Sequence, residues 1–242
     1  MEDTESELTR IDDPKHVVRH MLKSQYPWGW VVYRCTYSDE EAWQKMLHVL
    51  RNKVVETLKI NDRMDLLPFH EMTIIEDNTK FDGATSHNIR DHFTTWVADT
   101  VMERMVTAPS EPEQREIRDP YKEDPGPEWI MGTRYNFCLF VDDICLESLE
   151  YMTFPVVKVL AKNFGARKPD NRDYTIYPGW EDGETNEGSE EVGWMYTHAM
   201  EIVSHYDELM ETDFWYDTYS RPPSMRMSWG ITPGSWRKTK VK

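Results

Sequence analysis

The sequence predicts an α+β domain of ferredoxin-like type: two successive βαβ units folded into a sandwich, with an added helical C-terminal segment. Three observations carry that expectation. Apolar, β-branched runs alternate with stretches of helical period in the order strand–helix–strand–helix, then strand–helix–strand. The helical crossovers between them are short. No Gly-rich turn follows any strand, so nothing favours a doubly wound nucleotide-binding sheet.

Residues 1–26 form an acidic tail in which Pro14 opens a short helix bearing Val17, Val18, Met21 and Leu22. Residues 28–37, WGWVVYRCTY, are β-branched and aromatic and read as the first strand. Ser38-Asp39-Glu40-Glu41 is a capping box, and Trp43, Met46, Leu47, Leu50, Val54 and Leu58 then recur at helical spacing. Residues 69–76, FHEMTIIE, make a second strand after Pro68. Thr85 or Ser86 caps a second helix over 87–106, whose stripe is Ile89, Phe93, Trp96, Val97, Val101 and Met105. Five of the fourteen prolines then fall in a surface excursion over 108–130.

Residues 135–142, YNFCLFVD, are the clearest buried strand, followed by a short helix near 144–152 and a strand near 156–160. The α+β core thus spans 27–162. From 163 to 242 the chain reads as an acidic loop, an amphipathic helix over 192–210 and an irregular tail, all packed on that core as one domain. Six carboxylates fall among the eleven residues 181–191, which marks a solvated loop.

Charge and composition narrow the function classes. The net charge is 28 − 44 = −16, which argues against nucleic acid and against anionic membrane surfaces. No apolar run approaches the ~18 residues of a membrane span, and the acidic N-terminus has no apolar signal region. Ten Trp, twelve Tyr and eight Phe are too many for a disordered chain. Cys35, Cys138 and Cys145 form neither a disulfide framework nor a zinc-type pair, so a reduced, cytoplasmic setting is expected. No Walker-type loop or Gly-x-Gly-x-x-Gly is present, and no cofactor is expected.

The blocks WGWVVYRCTYSDEEAW, FDGATSHNIRDHFTTW and RYNFCLFVDDICLESL, with the later GWMYTHAMEIV and YSRPP, resemble a family of intracellular proteins of filamentous fungi. The resemblance implies a fungal, non-secreted protein. It brings no catalytic residues with it.

Candidate chemistry therefore rests on individual side chains. Arg34 lies within an apolar strand and must reach solvent, a carboxylate such as Glu71 or Glu76, or a ligand. His70 points the same way as Met72 and Ile74 and reads either as a base in a pocket or as a hydrogen-bonded core histidine. In the functional reading Arg34 orients an oxyanion, His70 exchanges a proton, and Tyr33 and Trp96 supply apolar wall over the sheet. Asp142 ends the third strand, where open-sheet sites gather. His198, Glu201 and His205 are spaced by three and four, so they share one face of the last predicted helix; metal binding there is the lesser reading beside edge-of-core polar residues.

Two function classes follow. One is a cofactor-free small-molecule protein that isomerises, cyclises or decarboxylates a metabolite in an aromatic pocket. The other is a non-catalytic interaction module using a sheet edge or the acidic loop. A homodimer is expected, since ferredoxin-like domains often pair through the sheet.

Overall fold

A computed structural model describes residues 27–119, 131–172, 191–226 and 230–238. The predicted helix after Pro14, the acidic run 181–190 and much of the excursion lie outside the described residues. Five strands form one sheet: β1 (Val31–Arg34), β2 (Thr73–Ile75), β3 (Phe137–Val141), β4 (Val156–Ala161) and β5 (Trp194–His198), in the order β2-β1-β3-β4-β5. β1 pairs in parallel with both β2 and β3, while β3–β4 and β4–β5 are antiparallel.

The α+β class is therefore correct, with a mixed sheet. The ferredoxin-like arrangement is not what the strands adopt, because a split βαβ unit places a strand between the two it connects, whereas β1 and β2 are direct neighbours. The expectation of a homodimer leaned on that arrangement and loses its footing with it.

Helices cover both faces. The period-2 alternation of β1 sends Trp30 and Val32 to one side and Val31, Tyr33 and Cys35 to the other. On the first side lies α1 (Glu40–Ile60), which starts at Asp39, whose side chain accepts from Ala42 N–H, and buries Trp43, Met46, Leu47, Leu50, Val54 and Leu58. On the second lies α3 (Ser86–Arg104), opened by a Thr85–Asn88 capping box and packed through Ile89, Phe93, Val97 and Val101. The chain thus crosses from β1 to β2 over one face and returns to β3 over the other. That reversal beside β1 is a topological switch point, the doubly wound feature which the lack of a Gly-rich turn had argued against.

The remaining connections are short. α2 (Asn78–Phe81) precedes α3, α4 (Glu111–Arg118) lies within the Pro-rich excursion, α5 (Thr133–Asn136) leads into β3, and α6 (Asp143–Tyr151) follows it. The second predicted strand is shorter than expected. Met64–Phe69 is a 3₁₀ turn, and His70 makes only an isolated bridge to Trp28 before β2 begins.

Residues 192–210 depart most from expectation. Trp194–His198 is an edge strand rather than the first half of a helix, and only Ile202–Glu208 is helical, as α7. The strand is buried on both faces, with Trp194 and Tyr196 on one side and Met195 on the other. No period-2 alternation of apolar and polar residues therefore marks it. α8 (Phe214–Thr218) and α9 (Ser235–Lys238) complete the described chain.

Candidate functional site

The parallel strands β1 and β3 end side by side, and the loops leaving them carry Thr36, Ser38, Asp142 and Asp143. Thr36 and Ser38 both donate to Asp143 Oδ1, tying the two loops together. Asp142 caps α6, accepting from Cys145 N–H at 3.1 Å. Its second oxygen accepts from Lys158 Nζ at 2.5 Å. Lys158 stands mid-strand on β4 and is only 1% exposed. Three rings surround its ammonium: Trp194 at 4.5 Å, Phe140 at 5.2 Å and Tyr196 at 5.3 Å. Asp142 is thus where strand-end reasoning placed it, but it is engaged by the lysine. Sequence reasoning passed over Lys158, although one charge inside VVKVLA was signal enough.

Arg34 ends β1 on the α1 side of the sheet. It pairs with Glu40 at 2.7 Å and Glu76 at 3.7 Å, and its Nε donates to Thr36 O at 2.9 Å. Its guanidinium lies over Tyr37 at 4.4 Å and Trp43 at 5.2 Å. Glu71, the other partner considered for it, instead pairs with Arg134.

His70 sits at the opposite end of the β1–β2 pair, edge-on to Trp28 at 4.6 Å. Six residues of chain running alongside β1, of which β2 is the middle part, separate it from Glu76, Arg34's partner, a span of about 20 Å if extended. The structure therefore does not bring Arg34 and His70 together. Burial, reinforced by the nearby Arg134 charge, pushes the His70 imidazole down to about 4, and its Nε2 is buried without a hydrogen-bond partner.

Tyr33 and Trp96 both lie on the α3 side, yet apart from Arg34. The Tyr33 hydroxyl hydrogen-bonds His92 Nδ1 at 2.9 Å, and burial drives its phenol far above the usual range. Trp96 stacks between Phe93 and Tyr135, with Arg134 over its face at 5.6 Å. Both are parts of the aromatic packing rather than the wall of a cavity beside Arg34. Burial likewise raises the thiols of Cys35, Cys138 and Cys145, which removes thiolate character from all three.

The outer edge of β5 has a different character. A cavity of about 290 Å³ is lined by Tyr196, Thr197, His198, Glu201, Ser204, His205, Glu208 and Arg226, among others. The trio His198, Glu201 and His205 thus meets at one cavity, but through a strand and a helix rather than along one helical face. His198 Nδ1 donates to Phe154 O at 3.3 Å. Among the described residues no group of three His, Cys, Asp or Glu could hold a metal ion.

His205 is 8% exposed, with Nδ1 bonded to Thr197 Oγ1 at 2.8 Å and Nε2 bonded to nothing. Burial, with Arg226 adding to it, pushes its imidazole down to about 4, so the ring is neutral at pH 7. On α7 the polar positions 201, 204, 205 and 208 share the cavity face, while Ile202, Val203, Tyr206 and Leu209 face the core.

No protein-family model, no curated protein and no solved structure matches this chain. No described helix is long and apolar enough to cross a membrane.

Proposed function

We propose that the chain is a cofactor-free small-molecule-binding protein whose ligand occupies the cavity between β5 and α7, and that His205 exchanges a proton with that ligand. The carrying observation is His205 itself, a neutral imidazole that lines the cavity, with one nitrogen held by Thr197 and the other buried without a hydrogen-bond partner. If the Thr197 hydroxyl donates to Nδ1, the Nε2–H is an acid or hydrogen-bond donor. If Nδ1–H donates to Thr197, Nε2 is a base. Isomerisation, cyclisation and decarboxylation all turn on such a proton transfer and need no cofactor. On the resemblance noted above, a fungal, cytoplasmic protein belongs to the same proposal. Arg34 and His70 have no part in it, because they stand about 20 Å apart along the β1–β2 pair and Arg34 is held by two glutamates.

The test is nuclear magnetic resonance of ¹⁵N-histidine-labelled protein against a panel of cationic, anionic and neutral polar fragments. At least one fragment should move the His205 ring resonances, and Thr197→Val should alter the shift by freeing Nδ1. A panel that moves none of them rejects the reading.

A second reading, docking of a protein partner, is favoured by one observation. The end of α1 and its connection to β2 leave Ile60 81%, Phe69 51% and Met64 38% exposed, beside the sheet's other edge. An Ile60→Asp/Phe69→Asp variant that keeps its circular dichroism but loses a partner co-purifying with the wild-type chain would support this reading. Unchanged partner recovery would reject it.

A further inference from the structure

Two halves of an apolar contact lie unmatched on either side of Trp28. The first is a surface. Seven large apolar side chains are exposed among the described residues, and three of them, Ile60, Met64 and Phe69, fall between the end of α1 and the 3₁₀ turn that follows it. The other four are scattered singly, as exposed apolar residues ordinarily are.

The second half is in the sequence. After Pro14 the chain reads KHVVRHMLKS. A helical period puts Val17, Val18, Met21 and Leu22 within one arc of about 140°, with Lys15, Arg19 and Lys23 outside it. A stripe of that kind needs an apolar surface to cover.

Three observations join the halves. Trp28 N–H donates to Phe69 O at 3.0 Å, and Trp28 Nε1 donates to Leu66 O at 2.7 Å. The chain that follows the stripe is therefore already seated on this connection, and a docked stripe extends the same contact. Leu22 is six residues from Trp28, which is ~20 Å at full extension. A tether that short holds the stripe at roughly millimolar effective concentration over the surface. Charge agrees as well. The acids of the N-terminal tail all precede Pro14, so residues 15–24 carry three basic side chains and no acid. Residues 56–71 carry four exposed acids, Glu56, Asp62, Asp65 and Glu71, against Lys59 and Arg63.

We propose that residues 15–24 dock as an amphipathic helix on the α1–β2 connection of the same chain, with the apolar stripe over Ile60, Met64 and Phe69 and the basic side chains toward the surrounding carboxylates. The inference is independent of the β5–α7 cavity. It shares its surface with the docking reading above and gives that surface an occupant from within the chain. A second copy or an outside partner lacks the tether and competes only at high concentration or with much tighter binding.

The experiment uses the full chain, ¹³C-labelled at its methionine methyls and carrying a nitroxide spin label on His20→Cys. The three native cysteines are buried, so the introduced thiol is the one that reacts. Position 20 lies outside the apolar arc. The label should broaden the Met64 methyl resonance strongly and leave Met200, beyond the far edge strand β5, unchanged. Met21→Asp/Leu22→Asp and Phe69→Asp should each weaken the Met64 broadening severalfold, with circular dichroism confirming that the variants are folded.

Broadening that neither variant changes is what a free tether gives and rejects the docking. Equal broadening between separately spin-labelled and isotope-labelled copies makes a second copy the occupant and overturns the intramolecular assignment. An untouched Met64 in a chain that sediments with phosphatidylserine vesicles gives the stripe to a membrane surface instead. A partner lost on Ile60→Asp/Phe69→Asp, with no Met64 broadening in the parent chain, rejects this occupant and leaves the docking reading standing.

Discussion

The pair Lys158–Asp142 makes a prediction about asymmetry. The lysine is 1% exposed and the side chain of Asp142 is 23% exposed, so the two charges differ in how they fare when left alone. Asp142→Asn keeps the α6 cap, because asparagine caps as well as aspartate, and removes only the negative charge. The ammonium then stays buried among three aromatic faces without its carboxylate. Breaking a buried pair from one side costs about 3–5 kcal/mol, and partial cation–π compensation of ~1–2 kcal/mol brings the expected loss to about 2–3 kcal/mol.

Lys158→Met does the reverse. The thioether fits among Phe140, Trp194 and Tyr196, and the carboxylate left behind sits at a helix N-terminus within reach of water. That change should cost less than about 1 kcal/mol. Urea denaturation followed by tryptophan fluorescence measures both, and in a chain of this size the asparagine variant should melt lower by roughly 4–12 °C. Equal losses for the two variants, or a larger loss for Lys158→Met, would refute the reasoning.

Arg34→Met should cost only about 1–2 kcal/mol, below the figure for a fully buried pair, because Glu40 and Glu76 are 64% and 45% exposed and can be hydrated when left alone; a chemical melt showing a loss above ~3 kcal/mol would contradict this. His70 and His205 are both held near 4 against about 6.5 unfolded, so the unfolded chain binds protons first. Their contribution is full above pH 6.5 and is lost as pH falls toward 4, by at most about 3 kcal/mol each. His205→Gln should flatten that part of the stability–pH curve by one proton, and an unchanged slope would remove His205 from the account. Gly29→Ala should destabilise strongly, since its φ is +121° and a Cβ would meet Glu71 O at 2.7 Å and the His70 ring at 2.9 Å; a melting temperature within a degree or two of wild type would show that the loop yields.

Much of the layered core was legible because burial on one side imposes a period. The α1 stripe from Trp43 to Leu58 and the α3 stripe from Ile89 to Val101 both fall on single helix faces that cover the sheet. β1, β3 and β4 announced themselves through β-branched and aromatic runs. The path of the chain was less legible, since nothing in residues 61–72 distinguishes a crossover that pairs β2 directly beside β1 from one that leaves a gap for another strand. β5 escaped because a strand buried on both faces has no alternation to read, and its end runs almost directly into α7.

The candidate site suffered from the same cause. His198, Glu201 and His205 were singled out by a helical spacing that does not hold across the strand-to-helix break, and they line one cavity for a different reason. Thr197 and Arg226, which complete that cavity, carry no mark in the local sequence. Of the three fates open to Arg34 in the sequence, solvent, a carboxylate or a ligand, the structure shows carboxylates, and Glu76 but not Glu40 was among those considered.

The placement of β1 between two parallel neighbours also has a consequence for how the chain is made. Its partner on one side, β3, lies about a hundred residues downstream. At a synthesis rate of ~5–20 residues per second, Val31–Arg34 waits roughly 5–20 s on the ribosome with that edge unpaired. In that interval the nascent chain offers a strand that is apolar up to its last residue, Arg34, and flanked by Trp30 and Cys35, to any other strand that passes. Newly made copies in one polysome lie close together and are the nearest such strands. Slow translation between residues 76 and 137 should therefore favour aggregation, and binding of a chaperone to the emerged β1–α1–β2 unit should suppress it.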